Sequence, residues 1–333
     1  MKPTERVHLG RTQVTVTRLG LGTAPLAGLF RAADDAEATA AIDRSYALGL
    51  RYFDTAPLYG YGLAEQRLGR GLRGKPRDSV VISTKVGRLL RSGAPPDLSQ
   101  FHDGEPFFKE TPPVNPVFDF SYDGVMRSLE ESLERLQLDR VDILYIHDPD
   151  AHHQEALEGA YRALDQLRRA GKVGAIGAGM NAWEPLARFA QEADFDCFML
   201  AGRYTLLDQG ALPELLPLCQ RRGISIVAAG VFNSGILADP RRKARFDYVP
   251  APPELVDRAL RLEAVCRRWN VPLKAAAVQF PSGHPAVATV VVGCRSAADI
   301  EEVEALCRLP IPPELWWDMV AEGLLPEEGI PRP

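Results

Sequence analysis

Long apolar runs are missing from this 333-residue chain. No stretch approaches the roughly 20 consecutive apolar residues that a membrane-spanning helix needs. Residues 1–10 carry Lys2, Glu5 and Arg6 and lack the apolar centre of a secretory leader, so a cytoplasmic protein with no membrane partner is expected. Cysteine is scarce. Cys197, Cys219, Cys266, Cys294 and Cys307 are odd in number, scattered and without CxxC spacing. That argues against a disulfide frame or zinc site, and for small buried hydrophobes in a reducing compartment. There is no HExxH and no acidic cluster, so no metal is expected; His152 and His153, adjacent in a polar stretch, read as surface residues. An excess of positive charge is also absent. Lys and Arg number 39 against 44 Asp and Glu, a net charge of -5. This excludes the basic footprint of a nucleic-acid binder. One small basic cluster, Arg241, Arg242, Lys243 and Arg245, reads as a solvated loop.

What the chain does have is alternation. Short apolar runs, most of them rich in Val and Ile, at 19–23, 51–55, 80–85, 141–146, 173–178, 197–201, 224–229 and 289–292, read as buried parallel strands. Each is followed by an amphipathic stretch of helical period: 34–48, 64–72, 122–136, 154–170, 183–192, 212–222, 253–269 and 297–306. Asp34 is placed to cap the first helix and Gly49 to end it. Further helices are expected at 272–280 and 313–322. Eight strand–helix units predict an α/β fold of the (β/α)8 TIM-barrel class. A hairpin over 7–9 and 14–17 precedes the barrel. No Pro/Gly/Ser-rich linker divides the chain, so 1–333 reads as one domain. Two long loops interrupt the pattern, at 87–120 after strand three and 230–252 after strand seven. The first holds Phe101, His102, Phe107, Phe108 and Phe118, and is expected to fold partly over the barrel mouth as a lid.

In such barrels the reactive groups gather at the C-terminal strand ends. Here Asp54 and Tyr59 follow strand two, Lys85 ends strand three, and His147-Asp148 follows strand four. Asn181 follows strand five, Arg203-Tyr204 strand six, and Gly293, Arg295 and Ser296 strand eight. A phenol with an ordinary pKa of ~10 exchanges protons poorly near neutrality. An adjacent ammonium favours the phenolate, a carboxylate can hold that ammonium, and a histidine can hydrogen-bond the substrate oxygen. Tyr59, Lys85, Asp54 and His147 form that set.

The run Phe53-Asp54-Thr55-Ala56-Pro57-Leu58-Tyr59-Gly60, with Glu65, Leu68-Gly69, Ser83-Thr84-Lys85-Val86-Gly87 and His147, resembles the aldo-keto reductase superfamily over nearly the whole chain. Thr84-Lys85-Val86-Gly87-Arg88, Ile146-His147-Asp148-Pro149-Asp150, Gly179-Met180-Asn181 and Leu200-Ala201-Gly202-Arg203-Tyr204 are similar to its aldose 1-dehydrogenase branch. The resemblance implies NAD or NADP as cofactor and Asp54, Tyr59, Lys85 and His147 as catalytic residues. It implies oxidation of C1 of a sugar such as L-fucose, L-galactose or D-arabinose to the lactone. Cofactor contacts are assigned to Asn181, Tyr204, Gly230, Asn233, Ser234, Gly235, Gly293, Arg295, Ser296 and Asp299. A monomer or homodimer is expected.

Departures accompany the resemblance. Ala201 stands where many relatives carry a glutamine that grips the nicotinamide, and Ala229 where many carry an aromatic that covers it. Glu302-Val303 stands where Glu-Asn meets the adenine. Arg295 with Ser296 could hold a 2′-phosphate, while Asp299 would repel one, so dual cofactor use is expected, with NAD at least as good. Other readings are reduction of a general aldehyde or ketone, pyridoxal 4-dehydrogenase activity, and a non-catalytic NADP-binding module. Gly177-Ala178-Gly179-Met180-Asn181-Ala182 also fits a GxGxxA pyrophosphate turn with Asp196 as a ribose ligand, but it falls in the fifth unit of eight and leaves the tetrad unexplained.

Overall fold

A computed structural model describes residues 1–242 and 244–331. Lys243 of the basic cluster lies outside the described residues. Eight parallel strands close into a barrel: β1 Leu19–Gly22, β2 Tyr52–Asp54, β3 Val81–Val86, β4 Ile143–His147, β5 Ala175–Met180, β6 Cys197–Ala201, β7 Ser225–Ala229 and β8 Val287–Gly293. Each pairs with its neighbour in sequence, and β8 returns to β1 through Val290 opposite Leu19. The crossover helices are α1 Asp35–Ala47, α2 Leu63–Leu72, α3 Tyr122–Leu136, α4 Arg162–Arg169, α5 Trp183–Glu192, α6 Leu215–Arg222, α7 Pro253–Arg268 and α8 Ala297–Arg308. Helices Leu273–Gln279 and Pro313–Ala321 are additional. No helix of the described residues is long and apolar enough to cross a membrane.

The strands read as continuous apolar runs because both of their faces are buried. One face meets the helices, in a core that includes Leu21, Phe53, Ile82, Leu144, Ile176, Phe198 and Ile226. The other face fills the barrel with Tyr52, Ile143, Tyr145, Cys197, Met199 and Val227. The Tyr52 hydroxyl lies 3.1 Å from Ser83 Oγ and 3.3 Å from the Tyr145 hydroxyl, so these buried phenols have partners. The hairpin Arg6–His8 with Thr15–Thr17 packs Leu9 and Val16 against this inner layer.

The glycines of the GxGxxA run serve the barrel. A Cβ at Gly177 would stand 2.2 Å from the Cys197 carbonyl oxygen and 2.8 Å from the Tyr145 ring. Asp196 lies just before β6, at the end of the barrel remote from the strand C-termini. Its carboxylate accepts hydrogen bonds from the Ile176 N–H at 2.9 Å and from Arg168 at 2.9 Å, so it is a structural clamp.

The helical stretch expected at 154–170 is interrupted. Ala156–Tyr161 is π-helical, between His153–Glu155 and α4. Gly159 passes so close to the Phe120 carbonyl oxygen that a Cβ would stand 2.2 Å from it. His153 is not the surface residue expected. Its ring stacks on Phe189 at 4.2 Å and its Nε2 lies 2.6 Å from Glu192.

The two long loops carry small ribbons of their own. Arg88–Arg91 pairs with Asn115–Phe118, Phe101–His102 with Glu105–Pro106, and Arg245–Phe246 with Val249–Pro250. They meet over the barrel mouth. The Phe30 N–H donates to the Phe107 carbonyl at 2.7 Å, and the Tyr248 ring lies 5.4 Å from Phe107 and 6.0 Å from Phe30.

Candidate active site

Register brings Asp54, at the end of β2, beside Ser83 of β3, whose Oγ donates to Asp54 Oδ1 at 2.7 Å. Two residues on, Lys85 projects to the same side of β3, because strand side chains alternate. Its Nζ donates to Asp54 Oδ2 at 2.8 Å, to Oδ1 at 3.0 Å and to the Thr55 carbonyl at 3.0 Å. Tyr59 arrives from the tight turn after β2, where Gly60 has φ +58° and Gly62 φ +95°. Its ring centroid lies 4.7 Å from Lys85 Nζ. His147, buried at the end of β4, meets Tyr59 edge-on at 5.9 Å. The four residues predicted from the strand ends therefore lie together, with Tyr59, Lys85 and His147 lining one pocket and Asp54 held against Lys85.

The protonation states follow from burial and neighbouring charge. All three ammonium hydrogens of Lys85 are taken by Asp54 and Thr55, so its charge is largely spent on the carboxylate. The Tyr59 phenol is held well above its ordinary pKa, first by burial and then by the negative charges of Asp54 and Asp148, with Arg88 opposing. Tyr59 is therefore a neutral donor here, not a phenolate. Burial, followed by the charges of Lys85 and Arg88, pushes His147 well below its usual range. Its imidazole is neutral at neutral pH, with one nitrogen able to donate and the other to accept.

A pocket of about 180 Å³ encloses these groups, walled by Leu58, Phe107, Phe108, Met199 and Tyr248, with Ser99 and Gln100 from the long loop after β3. The lid expectation thus describes part of that loop. Phe108 stacks on Tyr59 at 6.2 Å. Phe118 instead packs outside, on Phe120 and His152. A cleft of about 350 Å³ runs away from the pocket, lined by Asn181, Gly230, Asn233, Ser234, Gly235, Gly293, Arg295 and Asp299 among others. Leu29, Asn181, Ala201 and Tyr248 line both spaces and form the junction.

Two of the assigned cofactor residues, Tyr204 and Ser296, lie outside both spaces, and a third, Asp299, lines the cleft with its carboxylate engaged by backbone. Tyr204 lines neither space. Its ring is buried between Phe280, at 5.2 Å, and His284, at 5.9 Å. Ser296 caps α8 by accepting from the Asp299 N–H at 3.2 Å. Asp299 returns its carboxylate to the N–H groups of Arg295, at 2.9 Å, and Ser296, at 3.2 Å. This is a capping box, so those two amides are not free for an anion. Glu302, at the adenine end, is paired with Lys274, and Val303 is buried.

Several residues of the site carried no signal in sequence. Tyr248, at the tip of the 245–250 ribbon, has φ +70°, and the preceding Asp247 is held by a forked ion pair with Arg203 at 2.6 and 3.0 Å. The basic cluster is more than a solvated loop. Arg242 and Arg245, with Arg31, line a hollow continuous with the cleft through Phe30, Ser234 and Gly235.

The sequence pattern of the Aldo/keto reductase family matches residues 18–321. The chain is 46% identical to pyridoxal 4-dehydrogenase of Microbacterium luteolum, over 98% of this chain and 99% of that protein. It is 45% identical to D-threo-aldose 1-dehydrogenase of a Pseudomonas species, over 94% and 96%. In fold it is similar to the holo form of an aldo-keto reductase of Bacillus halodurans, with a TM-score of 0.74 and 24% identity over 97% of each chain. This protein belongs to the Aldo/keto reductase family.

Proposed function

We propose that the protein oxidises C1 of an aldose such as L-fucose, L-galactose or D-arabinose to the lactone, with NAD or NADP as acceptor. The observation that carries this reading is the junction. A pocket holding a phenol, an imidazole and a buried Lys–Asp pair opens directly into a long cleft with a cationic far end. An anionic dinucleotide fits that donor set. Arg31, Arg242, Arg245 and Arg295 supply positive charge, and the buried Asn233 Oδ1 lacks a partner among the described residues. Asn181 and the 230–235 loop would hold the nicotinamide half. When bound, the nicotinamide accepts hydride from C1. Tyr59 takes the proton of the anomeric hydroxyl. His147, neutral, holds the same oxygen, and Lys85 stabilises the phenolate form of Tyr59 that accepts this proton and is neutralised by it.

Arg295 does not stand free to read a 2′-phosphate. Its guanidinium donates to the carbonyls of Leu29 and Arg31, tying β8 to the loop that walls the cleft. Arg295→Ala is therefore expected to weaken NAD and NADP alike, by about 1.5–3 kcal/mol, the scale of hydrogen bonds from a charged group. Equilibrium titration of both cofactors checks this; a loss confined to NADP would return Arg295 to phosphate reading. The carboxylate of Asp299 at the same helix end favours NAD.

A second reading has its own support. Phe107, Phe108 and Tyr248 give the pocket aromatic walls, which suit a flat aldehyde such as pyridoxal. Initial rates in both directions, with a panel of aldoses and with pyridoxal against both cofactors, separate the readings. Lactone formation from an aldose is expected. Turnover of pyridoxal alone, or only reduction of simple aldehydes, would overturn the sugar assignment.

A further inference from the structure

The pocket contains one carboxylate that this proton transfer does not use. Asp148 follows His147 at the end of β4 and lines the pocket. Its φ is +45°, in the left-handed region that non-glycine residues enter at a cost, and its N–H donates to the Gly179 carbonyl at 2.9 Å. Strain of this kind persists where the surroundings impose it. Arg88 is the imposing group. It is buried, and it donates to Asp148 Oδ2 at 3.0 Å and to Asp97 at 3.0 Å, two residues before the pocket-lining Ser99. Its guanidinium also lies 4.2 Å over the Phe118 ring. The grip uses one carboxylate oxygen. Oδ1 of Asp148 takes no hydrogen bond from a described residue.

A half-satisfied carboxylate, fixed in place and facing a substrate space, is an acceptor waiting for a donor. Its Oδ2 is 3.6 Å from His147 Nε2, the group that would hold the reacting oxygen. That spacing suits a second oxygen on the carbon next to the reacting centre. We propose that Asp148 is a specificity-determining residue, whose carboxylate accepts a hydrogen bond from the substrate hydroxyl adjacent to the reacting carbon. The inference rests on the reaction proposed above and narrows its substrate class. The enzyme selects hydroxylated neighbours of the C1 position, and a plain aldehyde leaves Asp148 unpaired. 2-Hydroxyaldoses present such a donor, whereas the ring hydroxyl of pyridoxal stands one carbon further from the reacting centre.

Asp148→Asn is the informative variant. Asparagine tolerates the left-handed backbone as aspartate does and still accepts from Arg88, so the loop keeps its shape. The negative charge of Asp148 also raises the Tyr59 phenol. Removing it therefore alters proton transfer for every substrate, and absolute rates do not isolate recognition. The measurement is a ratio, taken on the full chain with cofactor: kcat/KM for an aldose over its 2-deoxy analogue. The wild type is expected to prefer the hydroxylated partner by about 10- to 100-fold, the scale of a hydrogen bond to a charged acceptor. In Asp148→Asn that ratio should fall about tenfold or more. An unchanged ratio, with both rates lowered together, makes Asp148 a structural support and overturns the inference while leaving the reaction intact. If the wild type turns over neither the aldose nor its 2-deoxy analogue, the reaction itself falls, and the inference with it.

Discussion

Tyr59→Phe is expected to lower turnover by about 10²- to 10⁴-fold, the usual contribution of a positioned general acid–base group. The dissociation constant for the dinucleotide should scarcely change. Phenylalanine keeps the ring that stacks on Phe108 and meets His147 edge-on, so the pocket keeps its walls and loses only the proton carrier. The pH profile sharpens the test. Oxidation needs the phenol without its proton, and burial with Asp54 holds the phenol well above its ordinary pKa. At neutral pH the base form is scarce, so log kcat/KM for oxidation should rise with pH from neutrality into the alkaline range. Reduction needs the protonated phenol and should be flat near neutrality. Both dependences should vanish in Tyr59→Phe. Near wild-type turnover, or an unchanged alkaline rise, would remove Tyr59 from the chemistry.

Lys85→Met should unfold the protein far more readily, by about 3–5 kcal/mol, because it strands a charge. The Lys85 and Asp54 side chains are 2% and 3% exposed. With the ammonium gone, Asp54 keeps, among the described residues, only the Ser83 hydroxyl as a side-chain donor. The double variant Asp54→Asn, Lys85→Met removes both charges at nearly constant volume and should recover most of the stability. It should not recover turnover, since Lys85 would no longer stabilise charge on Tyr59. Denaturant unfolding of the three proteins reads the stability, and initial rates read the chemistry. A single variant within about 1 kcal/mol of wild type would show that the pair adds little to the fold, contrary to the scale of a buried ion pair.

The two expectations come from different levels of the molecule. Alternation of apolar runs with helical period is local, and it carried most of the architecture. Eight strands closed where eight short apolar runs occur, because a strand buried on both faces reads as a nearly continuous apolar run. Asp34 caps α1 by accepting from the Glu37 N–H at 2.7 Å, as its position suggested. Asp54, Lys85 and His147 were legible for the same reason. The barrel topology sends every strand C-terminus to one rim, so a reactive residue at a strand end has a known address before any contact is seen.

Tertiary structure decided what lies between elements distant in sequence. Tyr248 reaches the junction only because Asp247 is docked on Arg203 and the ribbon turns through left-handed backbone. Arg88 grips Asp97 and Asp148 across two loops. No periodicity encodes such meetings. Tyr204 shows the reverse error. It follows a strand end yet turns into the core, since address alone does not say which way a loop residue faces. Ser296 and Asp299 carried the spacing of a capping box, a local signal, and their side chains are used on each other. Lys85 shows the limit most clearly. Sequence placed an ammonium near a phenol. Only the folded chain showed that Asp54 takes most of its charge, because the strength of an electrostatic effect depends on distances and burial that close in three dimensions.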